Sequence, residues 1–250
     1  SGGIQMTDLM NLGVLDADWW GEELITLHLA DGIAVVTWRG ETITLDLELT
    51  APFVRVIDES TFVLMDFTRE ETKPNAWIVR ADGVIEGSFH AGQCIASVAV
   101  DASGIWVGYG DEGIFGEGVA TEALVCFSKD GDVLFRYNRD TRKAPIIVDC
   151  EHLVTTPSGV WLFPSLDGKL TQIDRFGRVV AYRAPRVLRD SEALTMVDDV
   201  AYFVTGNDLY RWAYGRREKP IRCGRVRGAL RGCVGGFIQI DGTDVTLLRV

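Results

Sequence analysis

Asp149-Cys150-Glu151-His152 is the densest run of reactive side-chain types in the chain. A thiol and an imidazole form a nucleophile pair when the ring reaches the sulfur and a third group orients it. In an extended strand Cys150 and His152 share one face, and Asp149 and Glu151 the other. Residues two apart on one strand rarely align ring to sulfur, so this spacing favours channel-lining or packed residues over a catalytic pair. A second set lies in residues 110–118, GDEGIFGEG, where Asp111, Glu112 and Glu117 alternate with glycines around Phe115. The 1-3-5 acidic spacing and closing Glu of a calcium-binding EF-hand loop are missing, and no Lys-Ser/Thr follows to make a phosphate loop. Carboxylates and an aromatic on a flexible insertion suit recognition of a protein partner with a basic patch. A third set is basic. Between residues 211 and 231 stand Arg211, Arg216, Arg217, Lys219, Arg222, Arg225, Arg227 and Arg231, opposed only by Glu218. Arg216, Arg217 and Arg222, beside Tyr210, Trp212 and Tyr214, are candidates for gripping a short anionic ligand or a single-stranded nucleic acid.

Metal and cofactor chemistry has little to build on. His28, His90 and His152 fall in separate segments, and no CxxC pair joins Cys94, Cys126, Cys150, Cys223 and Cys233. Neither a zinc site nor a disulfide framework is expected, and a reducing cytoplasm is the simplest compartment. No cofactor and no metal are expected. The competing reading is a hydrolase of the glycosidase or lactonase type, working through paired carboxylates at a channel mouth. Inner-strand acids available for it are Asp58, Asp101, Asp149, Glu151 and Glu192. A calcium site of the lactonase kind would also need inner-strand asparagines, and Asn11, Asn75, Asn138 and Asn207 are poorly placed for that.

The 250 residues carry a net charge of −11, unevenly distributed. Residues 1–148 hold 24 acids and 10 bases, and the remainder 12 acids and 15 bases. Such a dipolar surface favours oriented encounters with a charged partner and would repel a long duplex. No apolar run approaches the ~20 residues of a membrane-spanning helix, and no signal-peptide pattern opens the chain.

The elements that must position these residues are strands. Residues 95–138 and 150–182 repeat one pattern: an apolar strand, a turn ending in Gly104 or Gly159, then Ile105-Trp106-Val107 or Val160-Trp161-Leu162, and two more strands. A four-strand unit recurring every few tens of residues marks a β-propeller blade. Further sets fall at 53–89 and 193–223, with three strands at 23–49 and three at 229–250. The expectation is an all-β propeller of six four-stranded blades (five as the alternative), closed by the N- and C-terminal strands completing each other. Residues 1–22 are expected as an N-terminal arm or short helix, and 23–250 as a single propeller domain. Trp77, Trp106, Trp161 and Trp212 recur in second or third strands, where large residues fill the space between blades.

Within this frame, DASGIWVGYGDEGIFG, followed by Asp149-Cys150 and Leu153, resembles a group of bacterial propeller-like proteins of unassigned function, with repeats of the two-component-regulator and NHL kind. The resemblance covers residues 75–180. It implies the fold and draws attention to Asp111, Glu112 and Phe115, without bringing an activity. The sequence thus favours a non-catalytic interaction module, such as an inhibitor, immunity or sensor subunit.

Overall fold

The structure is a computed structural model that describes residues 13–70, 72–141, 144–164, 168–216 and 218–250. It is an all-β, six-bladed propeller. Blade 1 comprises β1 (Asp16–Trp20), β2 (Glu23–Ala30), β3 (Ile33–Trp38) and β4 (Glu41–Glu48). Blade 2 comprises β5 (Pro52–Asp58), β6 (Thr61–Asp66), β7 (Ala76–Arg80) and β8 (Ile85–Phe89). Blade 3 comprises β9 (Ile95–Asp101), β10 (Gly104–Tyr109), β11 (Leu124–Phe127) and β12 (Val133–Arg136). Blade 4 comprises β13 (Leu153–Thr156), β14 (Gly159–Leu162), β15 (Lys169–Asp174) and β16 (Val179–Arg183). Blade 5 comprises β17 (Ala193–Val197), β18 (Val200–Thr205), β19 (Asp208–Trp212) and β20 (Ile221–Arg225). Among the described residues blade 6 has three strands, β21 (Leu230–Cys233), β22 (Gly236–Asp241) and β23 (Asp244–Arg249). Among the described residues two single helical turns, α1 (Asp111–Ile114) and α2 (Tyr137–Asp140), and two 3-10 segments interrupt the strands.

Every blade is an antiparallel meander. Its hairpins follow from local chemistry: Asp31-Gly32 and Arg39-Gly40 both adopt positive φ, the type I′ geometry that matches strand twist. Apolar alternation then places one core in each seam between blades. The seam between blades 1 and 2 buries Leu27, Trp38, Val54 and Phe62, and that between blades 4 and 5 buries Trp161, Phe163, Phe203 and Trp212. Trp106 also donates from Nε1 to Asp101 at 3.0 Å, and Trp161 to Thr156 at 3.3 Å, tying second strands back to the ends of inner ones.

The N-terminal expectation is corrected in part. Residues 16–20 are neither arm nor helix but the innermost strand of blade 1, which therefore has four strands of its own. Its alternation explains this. Ala17 and Trp19 face blade 6, while Asp16 and Asp18 face blade 2 and accept the backbone N–H groups of Val54 and Val56 at 2.9 and 3.0 Å. Whether the two ends of the chain complete one sheet falls on residues 1–12, outside the described residues. Blades 6 and 1 nevertheless meet. Val14 N donates to Gly242 O at 2.8 Å, and Ala17 packs with Cys233 and Ile238.

Neighbouring blades are also linked by charge at their rims. Asp58, at the end of β5, receives Lys129 from the β11–β12 turn and the N–H of Ser60. Partial burial works against ionisation, but these hydrogen bonds win and hold the carboxyl down at about 2. A depressed pKa adds stability that is present above the unfolded value, near 4, and lost as pH falls through about 2. An NMR titration should therefore place the Asp58 midpoint near 2, and Lys129→Ala should return it towards the ordinary carboxylate range.

Candidate functional site

The inner strands β1, β5, β9, β13, β17 and β21 stand side by side around a central channel. All run in the same direction, so their first residues define one mouth and their last residues the other. At the first mouth lies a cavity of about 180 Å³ bordered by Phe53, Ser97, Glu151, His152, Glu192 and Arg231. At the second lies a smaller one of about 90 Å³ bordered by Asp18, Trp19, Trp20, Thr155 and Val234. Arg55 and Arg231 border both cavities and stand across the middle of the channel.

These arginines are held by the two acids of β1. The Arg55 guanidinium bonds the Asp16 carboxylate, the carbonyl of Val54 and, from Nε, Val98 O at 2.7 Å. Arg231 contacts Asp16 at 3.5 Å and Asp18 at 3.4 Å, and donates to Ala17 O. Burial and the adjacent Arg231 charge push the pKa of Arg55 down, and Asp16 and Asp18 oppose them. Two cations and two anions thus balance across blades 1, 2 and 6. Sequence inspection missed Asp16, Asp18 and Arg55 and placed Arg231 in a surface basic run. The usable signal was the alternation of Asp16 and Asp18 with Ala17 and Trp19.

The run 149–152 lies just ahead of β13, at the first mouth, rather than on the innermost strand. The reason is a change of partner. Cys150 N bonds Tyr109 O in blade 3 at 2.9 Å, and pairing within blade 4 starts with Phe163 N on His152 O at 3.2 Å. Cys150 is buried, its carbonyl taken by the Ser97 hydroxyl. Burial, aided by the charge of Asp149, pushes its thiol up to about 12. Burial pushes the His152 imidazole down, against Glu151, Asp149 and Glu192, which pull it up. Burial of this kind disfavours the thiolate, the reactive form of a cysteine. Cys150 packs the seam between blades 3 and 4 instead.

Residues 110–118 are folded, not a plain loop. Asp111–Ile114 is a helical turn with Gly113 buried, and Gly118–Glu122 a 3-10 turn. The first turn forms one wall of a groove of about 450 Å³ bordered by Phe67, Cys94, Gly110, Asp111, Glu112 and Glu151. Glu151 therefore belongs to both the groove and the channel mouth. The structure brings Asp111, Glu112 and Glu151 together, with Glu192 across the mouth. Phe115, 74% exposed, caps the end of the first turn, and neither it nor Glu117 borders the groove. Glu112 pairs with Arg69 at 2.7 Å, both side chains well exposed, and lies 3.9 Å from the Cys94 sulfur.

The remaining candidates are dispersed. Asp58 and Asp101 end their inner strands, at the opposite mouth from Glu151 and Glu192, so the five inner-strand acids do not converge. Arg222 lies on the outer strand β20 and shares Asp208 with Arg225, at 2.7 and 3.4 Å. Arg216 faces Glu218 at 3.9 Å, and Arg217 lies outside the described residues. Among the described residues of this stretch, Arg231 lies in the channel and Arg222 and Arg225 on the outer strand of blade 5. Among the described residues no three His, Cys, Asp or Glu side chains are grouped to hold a metal ion, and no helix is long and apolar enough to cross a membrane.

No protein-family model matches the chain, and no curated protein matches its sequence. Solved structures do match. Virginiamycin B lyase from Staphylococcus aureus superposes with a TM-score of 0.60 at 13% identity, over 91% of this chain and 77% of that one. YCF48 bound to D1 peptide gives 0.59 at 11% identity, over 95% and 78% of the two chains. BamB from Moraxella catarrhalis gives 0.52 at 12%, over 94% and 73%. What they share with this chain is the propeller. At such identities the likeness is one of fold, which carries many unrelated functions.

Proposed function

We propose that the protein is a non-catalytic interaction module that receives a basic segment of a protein partner at the first mouth of its ring. The observation that carries this reading is the position of Glu151. One carboxylate joins the channel mouth to the groove beneath Asp111 and Glu112, making a continuous acidic border, with Phe115 exposed at the end of the turn that bears Asp111 and Glu112. Exposed pairs such as Arg69–Glu112 contribute at most about 1 kcal/mol, so a partner's cation can replace Arg69 at little cost. An exposed aromatic beside carboxylates supplies an apolar anchor within a polar rim, the usual arrangement of a binding surface. YCF48, also a propeller, binds the D1 peptide, which supports a scaffold of this kind holding a peptide segment.

The test uses a fluorescein-labelled peptide of alternating lysines with one central phenylalanine, followed by anisotropy as added salt shortens the Debye length from about 14 Å to about 6 Å. Glu151→Lys should weaken binding by about tenfold and flatten its salt dependence, because it removes one attraction and adds one repulsion. Phe115→Ala should weaken binding with the salt dependence unchanged, and Glu48→Lys on the distant outer strand β4 should change neither. Equal affinity in wild type and Glu151→Lys would remove the mouth from the interface. Turnover of aryl glycosides or lactones that is lost in Glu151→Gln would replace this reading with a hydrolase.

A further inference from the structure

The outer strand of blade 4 offers a free edge beside a basic groove. β16 ends its sheet, paired on one side only with β15. In an antiparallel ladder alternate residues turn both backbone groups towards the neighbour. Asp174 N bonds Arg178 O, and Ala184 N bonds Gly168 O, both at 3.0 Å. Residues 178, 180, 182 and 184 therefore face β15, and the N–H and C=O groups of Val179, Ala181 and Arg183 point away from the sheet. These same three residues border a groove of about 690 Å³, whose opposite wall includes Asp140 and Pro145 from the segment that follows β12.

The groove is positive. Arg178 and Arg183 border it, against the carboxylate of Asp140, which accepts the backbone N–H of Arg136 at 2.7 Å. On β20 the edge arginines share Asp208, whereas Arg178 and Arg183 have no carboxylate partner among the described residues. Arg178 instead lies over Phe176, 5.9 Å from its ring, with Arg175 at 4.9 Å. Phe176 is 71% exposed at the turn leading into the edge.

We propose that this edge is a docking site, distinct from the acidic mouth, which takes an extended acidic segment of a protein partner as a fifth strand of blade 4. Main-chain bonds to Val179, Ala181 and Arg183 supply the affinity, and the arginines select for acidic side chains. A second copy of the chain is a poor occupant, because it would bring two arginine-bordered edges of like charge together.

The probe is a fluorescein-labelled peptide, Asp-Val-Glu-Val-Asp-Val-Glu, titrated against the full chain. Saturable binding should weaken by about tenfold in Arg183→Glu, where one attraction becomes a repulsion. Ala181→Pro should weaken it comparably, because it deletes an outward N–H while leaving the β15 ladder intact, which an edge position tolerates. Hydrogen exchange on the wild-type protein provides a second measurement that needs no variant. The amides of Val179, Ala181 and Arg183 should gain protection when the peptide is added. Absence of saturable binding would overturn the proposal. So would unchanged exchange at those amides, or Ala181→Pro binding as wild type does, since both describe charge adhesion without strand pairing. A dimer in sedimentation that Ala181→Pro dissolves would assign the edge to a second copy and overturn the acidic partner.

Discussion

Asp16→Ala is expected to lower the unfolding free energy by about 3–5 kcal/mol, the cost of breaking one side of a buried ion pair. Asp16 contacts both channel arginines and the backbone of blade 2, through Arg55, Arg231 and Val54 N. Its removal leaves two buried guanidiniums close together with Asp18 as the remaining counter-charge. The loss also falls on a thin seam. Among the described residues four apolar side chains, Val14, Ala17, Cys233 and Ile238, are buried where blade 6 meets blade 1, against twelve between blades 1 and 2. Urea unfolding of Asp16→Ala, Asp16→Asn and the double variant Asp16→Leu/Arg55→Met separates the contributions. The asparagine keeps an acceptor for Val54 N and should recover part of the loss. The apolar pair removes both charges and should cost less than Asp16→Ala alone. A change within about 0.5 kcal/mol for Asp16→Ala would mean that the cluster does not hold the ring closed.

The contrast between blades and channel explains what could be read from the chain. Blade grammar is local. Ile105-Trp106-Val107 and Val160-Trp161-Leu162 pair with strands only a few residues away, so repetition and turn chemistry reveal the sheets. β1 escaped notice because two of its five residues are acids, and their partners Arg55 and Arg231 lie 39 and more than 200 residues away. The insertion at Asp111 and Glu112 was visible as composition. Its junction with Glu151 was not, since the crossing from blade 3 to blade 4, through Cys150 N on Tyr109 O, sets it. The basic stretch misled for the opposite reason. Contiguity along the chain became dispersion in space, with Arg222 on a rim and Arg231 in the channel.

The same seam geometry makes Gly232→Ala the second large expected effect. Gly232 lies in β21, and a Cβ built there would fall on the carbonyl oxygen of Leu194 in β17. The obstacle is space, since backbone atoms cannot rotate away as a side chain can. Accommodating a methyl group means parting the inner strands of blades 5 and 6, which strains the bond from the Thr195 hydroxyl to Cys233 O at 2.6 Å. That bond is buried, and an unmet carbonyl there adds about 1–3 kcal/mol to an overpacking cost of similar size. Gly235→Ala is the matched control, only three residues on. Gly235 has φ of +80° and nothing within 4 Å of its Cβ position, so alanine there meets only the left-handed backbone penalty, about 1–2 kcal/mol. Thermal unfolding should therefore rank Gly232→Ala well below Gly235→Ala. Equal stability of the two would show that blades 5 and 6 can separate freely. The narrow channel would then be an adjustable opening, and Arg55 and Arg231 would hold no fixed station between its mouths.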